Sequence, residues 1–224
     1  MSSHYKALAR RTNPEVISIF PLSGAVLLPG CDLPLNIFEP RYLNMVDDAL
    51  KSDRLIGMVQ SDGDKVKAVG GLGRIIQFSE TEDGRYLIVL KGLKRFTLEH
   101  ELPLEKPYRQ ARVSYVDFAT DPDFHMPEMM PEAISDKGGE KRAALTVAMK
   151  SFAKSLGVEV DWDALSEIPL PRLIDQAAMI SPFRAEDKQS LLEATDTEER
   201  RRLLIGLMHL YSAGLPGENK NKMN

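Results

Sequence analysis

Along the first half of the chain, apolar residues come in short runs rich in β-branched and aromatic side chains and separated by Gly, Asp or Pro. VISIF (16–20), LIGMVQ (55–60), LGRIIQFSE (72–80), RYLIVLKG (85–92), RFTLEHE (95–101) and RQARVSYV (109–116) each predict a strand, because such side chains suit a pleated, half-buried surface. Together they predict a sheet or a barrel. Asp83-Gly84 stands between two of the runs, where glycine supplies the positive φ of a tight hairpin. Leu72, Arg74, Ile76 and Phe78 are expected on one face and Ile75 and Gln77 on the other. That alternation is imperfect, so both faces are expected to be partly covered.

One helix interrupts the strands. Pro40 suits a first helical turn, and Tyr42, Leu43, Val46, Ala49 and Leu50 then recur at helical spacing, with Asp47, Asp48 and Lys51 toward water. Just before it, PLSGAVLLPGCDLPLNIFEPRY (21–42) fits neither a helix nor an ordinary strand. Each proline fixes φ and withholds a ladder hydrogen bond, so Pro21, Pro29 and Pro34 confine these runs to edges, strand starts and crossings. The segment is expected to weave across a small barrel, with Leu27, Leu28, Leu33, Leu35, Ile37 and Phe38 in its core.

The second half changes period. KGGEKRAALTVAMKSFAKSLG (137–157) repeats Ala144, Val147, Ala148 and Phe152 at helical spacing and ends in Gly157, a good C-cap. LPRLIDQAAMI (170–180) does the same with Leu170, Leu173, Ile174, Ala177 and Ala178, and a short helix is expected over 186–194. The last helix opens with Thr195 and Glu198 in capping-box spacing and closes at Gly214 and Pro216. These elements predict a helical bundle. The proline-rich stretch 117–139 between the halves reads as a long loop or linker. The expected organisation is α+β: an N-terminal β pseudo-barrel with one inserted helix (1–118), a linker (119–139), a C-terminal α-helical bundle (140–213) and a polar tail (214–224) that reads as a natural end.

Composition narrows the classes. A chain of 224 residues is long enough to bury a sizeable core without a metal or disulfide staple. No apolar run reaches the roughly 20 residues of a spanning helix, and the amino end is a basic tail without the hydrophobic block of a secretory signal. The single cysteine, Cys31, fits a reducing, cytoplasmic setting and reads as a small buried hydrophobe. Net charge is +1 over residues 1–118 and -5 over the remainder, unlike the basic field that nucleic-acid binding needs.

Catalytic constellations are not found. The sequence has no G-x-x-x-x-G-K-[ST] loop, no G-x-G-x-x-G after a strand, no G-x-S-x-G elbow and no H-E-x-x-H. The nearest glycine cluster, VGGLGRI (69–75), opens a strand and reads as a flexible lead-in to a hairpin. His4, His100, His125 and His209 are scattered singly, so neither a metal nor another cofactor is expected. Two candidate partner-binding groups stand out. Pro34, Leu35, Phe38, Glu39, Arg41 and Tyr42 form the end of the proline-rich stretch, where Glu39 and Arg41 are either a pair fixing the helix against the barrel or a polar handle on a groove. Phe124, Met126, Met129 and Met130 of the linker are either an adaptable apolar patch or packing between the halves.

The blocks FPLSGAVLLPGCDLPLNIFEPRYLNMVDDAL, GGLGRIIQFSETEDGRYLIVLKGLKRFTL and PYRQARVSYV resemble the amino-terminal domain of Lon ATP-dependent proteases, a domain also found in free-standing proteins and in cereblon. LIDQAAMISPFRAEDKQSLLEATDTEERRRLLIGLM is similar to its helical continuation, so the resemblance covers about residues 15–213. It implies a six-stranded PUA-like pseudo-barrel beside a helical bundle, and a role in recognising protein substrates or partners. Beyond residue 213 the family's nucleotide-binding module and its catalytic serine and lysine have no counterpart. The expected function is therefore non-catalytic: a stand-alone module binding unfolded segments or specific proteins, such as an adaptor or substrate-recognition factor in proteolysis. The barrel type alone suggests RNA binding as the alternative, and the near-neutral first half argues against it.

Overall fold

The computed structural model describes residues 13–119, 121 and 139–214. The described residues form two compact units. The first combines those up to 121 with Met179–Glu193; the second combines 139–178 with those from Ala194 on.

The first unit is built on six strands: β1 (Val16–Pro21), β2 (Asp32–Ile37), β3 (Leu55–Asp62), β4 (Lys65–Glu80), β5 (Tyr86–Glu101) and β6 (Gln110–Ser114). Their order is β2-β5-β4-β3-β1-β6, and β6 returns to pair with β5. Strands β1, β3, β4, β5 and β6 thus close a ring, with β1 and β3 its parallel pair. Closure removes the ring's free edges. Strand β5 makes this possible: 86–91 pairs with β2, while 97–101 pairs with β6. RYLIVLKG and RFTLEHE, read as two strands, are one continuous strand through Gly92. Strand β2 lies outside the ring as an edge, where Pro34 costs no ladder bond.

Bulges explain the imperfect alternation. Leu72 and Ile75 are buried in two different core clusters, and Ile76, which has no counterpart in β5, is exposed. The single face expected for Leu72, Arg74, Ile76 and Phe78 is corrected accordingly. The expectation for the glycine cluster is corrected too. Gly70, Gly71 and Gly73 lie in the middle of β4, and the 26–31 crossing runs over Gly71 and Gly73. Any Cβ on Gly71 would overlap the Leu27 carbonyl oxygen, and one on Gly92 the Leu28 carbonyl oxygen. Glycine at these places is what lets a second backbone lie on the sheet. Gly30 N–H donates to the Gly92 carbonyl at 2.8 Å, and Gly92 N–H to that of Cys31 at 2.8 Å. Val26, Leu27, Leu28 and Cys31 are buried by this crossing.

Helix α1 (Pro40–Leu50) buries Tyr42, Met45, Val46 and Ala49 against Phe20, Ile37, Ile56 and Ile88. Asp47 and Asp48, expected to face water, also tie the helix down while Asp48 stays open to solvent. The Tyr86 hydroxyl donates to Asp47 at 3.1 Å, and Lys106 Nζ (2.8 Å) and the Tyr108 hydroxyl (2.6 Å) donate to Asp48. A short 3-10 turn, Val116–Phe118, follows β6. Behind it the Asp121 carboxylate takes Arg95 Nε at 2.8 Å and Nη2 at 2.6 Å, both partners being buried.

Helix α5 (Ala185–Glu193) also belongs to this unit, although its sequence neighbours are helical. Three side chains fasten it. Gln60 Nε2 donates to the Ala185 carbonyl (2.7 Å), Gln189 Nε2 to that of Val69 (3.1 Å), and Arg95 Nη1 to that of Leu192 (2.8 Å). The last places a cation at the carbonyl end of the helix, where the dipole favours it.

The second unit holds α2 (Glu140–Leu156), α3 (Trp162–Ser166), most of α4 (Leu170–Ile180) and α6 (Thr197–Ser212). In α4 the expected face is the buried one. In α2 only half of it is: Ala148 and Phe152 are buried as expected, together with Arg142 and Leu145, whereas Ala144 and Val147 are exposed. Helix α2 contains the buried Arg142, whose charge takes the Ile168 carbonyl as acceptor. A search for apolar residues overlooks such a position. The cap of α6 is displaced by one residue from the expected box: Asp196 accepts the Glu199 N–H at 2.8 Å, and Glu199 takes the Thr195 N–H and hydroxyl at 2.6 Å.

Glu198 is thereby left to pair with Arg201, Lys141 and Arg202. Arg201 above all holds its carboxyl down at about 2. A depressed carboxylate stabilises the folded state fully above the ordinary glutamate range, and the contribution disappears as pH falls through the folded value. Glu198→Gln is therefore expected to lower the thermal midpoint of the helical transition at pH 7, with the difference from the parent closing between about pH 4.5 and 2. Circular dichroism melts across that range check it; a difference independent of pH contradicts it.

Candidate functional site

Sequence places the candidate site at 34–42, and the fold divides that stretch. Pro34 is exposed on the edge strand β2, while Leu35 turns inward and packs on the core. Phe38, expected in the core, is 63% exposed, with the Arg85 guanidinium 5.9 Å from its ring centre. It follows the last residue of β2, so the chain has already left the sheet there. Tyr42 is a core residue, its ring 4.3 Å from that of Phe20. Glu39 and Arg41 pair with each other at 2.7 Å, both about half exposed, so they do not fix the helix to the barrel. Phe124, Met126, Met129 and Met130 lie outside the described residues.

Two concavities flank this corner. The first is a shallow hollow of about 540 Å³ across β2, β5 and β4. Register builds it in rows: Pro34, Val89 and Gln77 form one, and Asn36, Leu87 and Ser79 the next. Leu87 is the exposed apolar centre, at 45%. Asn36 on one side and Gln77 and Ser79 on the other can hydrogen-bond a backbone laid along the rows, while the apolar middle takes side chains.

The second concavity, about 560 Å³, lies between the start of α1 and the 101–109 segment. Leu102, Pro103, Leu104 and Pro107 make its apolar wall, and Arg41, Tyr42, Glu101, Tyr108 and Arg109 complete it. Sequence reasoning found Pro34, Leu35, Arg41 and Tyr42 among these lining residues. It missed Leu87 and Val89, although the run YLIVL offers apolar residues at outward as well as inward positions. It missed the 102–109 segment because LPLEKPYR has no period.

Among the described residues no group of three or more His, Cys, Asp or Glu is placed to hold a metal ion. His100 and His209 are exposed, Cys31 is buried, and no described helix is long and apolar enough to cross a membrane.

The family model of the ATP-dependent protease La (LON) substrate-binding domain matches residues 16–209. The chain belongs to that family. Similar curated proteins include Lon protease of Cytophaga hutchinsonii, 28% identical over 209 residues (87% of this chain, 24% of the relative). Lon protease 2 of Myxococcus xanthus is 26% identical over 226 residues (92% and 25%). The chain thus spans about a quarter of the length of these curated relatives. Among solved structures, a Lon N-terminal domain protein from Xanthomonas campestris superposes with a TM-score of 0.60 at 23% identity, covering 85% of this chain and 97% of that one. The N-terminal domain of the Mycobacterium avium complex Lon protease gives 0.61 at 20% identity, covering 87% and 98%. They share the mixed α+β fold of the LON substrate-binding domain, a six-stranded sheet followed by helices.

Proposed function

We propose that this LON-type domain recognises polypeptide segments, as an adaptor or substrate-recognition element in proteolysis, and makes or breaks no bonds itself. The family supports a substrate-recognition role. The observation that carries the finer reading is the hollow over β2, β5 and β4, whose apolar middle is open to solvent. Its clients are segments that expose apolar side chains, as unfolded proteins do. Contact runs over the outer face rather than along the β2 edge, because Pro34 deprives that edge of a donor.

The test is binding of a fluorescently labelled, permanently unfolded protein followed by anisotropy. Leu87→Asp places a charge in the hollow at an exposed position, so the fold is retained and affinity is expected to fall about tenfold. Unchanged binding by a folded Leu87→Asp variant removes the hollow from consideration. Binding that instead follows a single-stranded RNA competitor, with a steep salt dependence, would favour nucleic acid.

A further inference from the structure

The polar residues of the hollow over β2, β5 and β4 are open to solvent. Asn36, Gln77 and Ser79 are exposed, and none of them makes a side-chain hydrogen bond among the described residues. Register fixes where they stand: Asn36 and Ser79 flank Leu87, and Gln77 flanks Val89 opposite Pro34. Neighbouring strands lie about 4.8 Å apart, so the two polar flanks are about 10 Å from each other, with Leu87 and Val89 between them.

That spacing decides what fits. An extended chain running along β5 over both rows finds hydrogen-bonding partners about 4.8 Å to either side, because its N–H and C=O groups point outward to both. A helix has already spent these groups on itself. Alternate side chains of an extended chain recur every 7 Å or so, about the distance from Leu87 to Val89.

Charge limits the length. Arg85, two residues before Leu87, pairs with Asp83 at 2.8 Å, and Lys91, two residues after Val89, pairs with Asp32 at 2.8 Å. Both cations are neutralised where they stand, and the residues of the two rows between them carry no charge. A charged side chain laid there would leave water without gaining a partner.

We infer that the hollow selects its clients by backbone as well as by side chain: it takes an extended, uncharged segment of about five residues with apolar side chains at alternate positions. The segment's N–H and C=O groups bond Asn36 on one side and Gln77 and Ser79 on the other. The inference rests on the proposed recognition of polypeptides in this hollow and names the conformation and pattern it takes.

Three labelled, uncharged peptides distinguish the cases in anisotropy titrations with full-length protein. One is Ser-Thr-Leu-Thr-Val-Thr-Ser; the second is the same sequence with the Leu and Val backbone nitrogens methylated; the third holds Leu and Val on one face of a helix by means of α-aminoisobutyrate. The second and third are each expected to bind about tenfold more weakly than the first. The triple variant Asn36→Ala, Gln77→Ala, Ser79→Ala, altered at exposed positions only, is expected to lower affinity for the first peptide about tenfold and to erase its advantage over the methylated form. Equal affinity of the parent protein for the first two peptides, helical binding as tight as extended, or no binding of the first peptide while unfolded protein binds and Leu87→Asp weakens it, overturns the inference and leaves the broader reading standing. Binding of unfolded protein that Leu87→Asp does not weaken overturns both.

Discussion

Asp121→Ala is expected to destabilise the first unit by about 3–5 kcal/mol, the range found when one partner of a buried ion pair is removed. Arg95 is 2% exposed, and Asp121 receives its Nε, its Nη2 and its backbone N–H, the last at 3.2 Å. Its guanidinium also lies 4.2 Å from the centre of the Phe118 ring. Water has no ready access to it. Urea unfolding at neutral pH measures the loss directly. The double variant Arg95→Met, Asp121→Leu is expected to recover most of it, because exchanging a buried pair for apolar side chains is often neutral or better. A loss below about 1 kcal/mol for Asp121→Ala would mean that solvent reaches Arg95.

The second large effect comes from the glycines beneath the 26–31 crossing. Gly71→Ala and Gly92→Ala each drive a methyl group into a backbone carbonyl oxygen, Leu27 in one case and Leu28 in the other. A flexible side chain can swing away from such a clash, but a carbonyl held on the sheet by the Gly30 and Cys31 hydrogen bonds cannot. Overpacking of this kind is expected to cost about 3 kcal/mol or more, read as a lower urea midpoint or loss of soluble protein. Gly206 supplies the contrast. It sits inside α6 with nothing near an added Cβ, so Gly206→Ala is expected to stabilise the second unit by about 0.5–1 kcal/mol. Equal tolerance at Gly71 and Gly206 would show that the crossing is not packed as described.

How much of this was legible in the sequence depended on whether a signal was local. Strands β1, β3 and β6 and helices α1 and α4 follow from period and punctuation, because each has one face against a core. The face of α2 did not, since its buried line includes Arg142, which a hydrophobic pattern cannot rank as interior. The bulge at Ile76 did not either, because one unpaired residue reverses sidedness without changing composition. The role of Gly71 and Gly92 depends on a segment some forty to sixty residues earlier in the chain, so the cluster read as a flexible lead-in.

The candidate site divides in the same way. Tyr42 and Arg41 were visible as odd residues beside a proline-rich stretch. That they would face Pro103, Leu104 and Arg109 depends on the β5–β6 connection folding back toward α1, through Lys106 and Tyr108 bonding Asp48. Leu87 was visible only as one more apolar residue in a strand. Its exposure depends on what packs over that face of β5, which a strand's own sequence does not record.

Helix α5 bears on how the chain is made. Its bonds to Gln60, Val69 and Arg95 wait for residues that leave the ribosome after the whole 139–178 segment has emerged. At roughly 5–20 residues per second, the interval between residue 121 and residue 193 lasts about 4–14 s. Throughout it the nascent chain presents a surface that its own later portion will cover, and whatever attends the exit tunnel meets the ring before its final fastening.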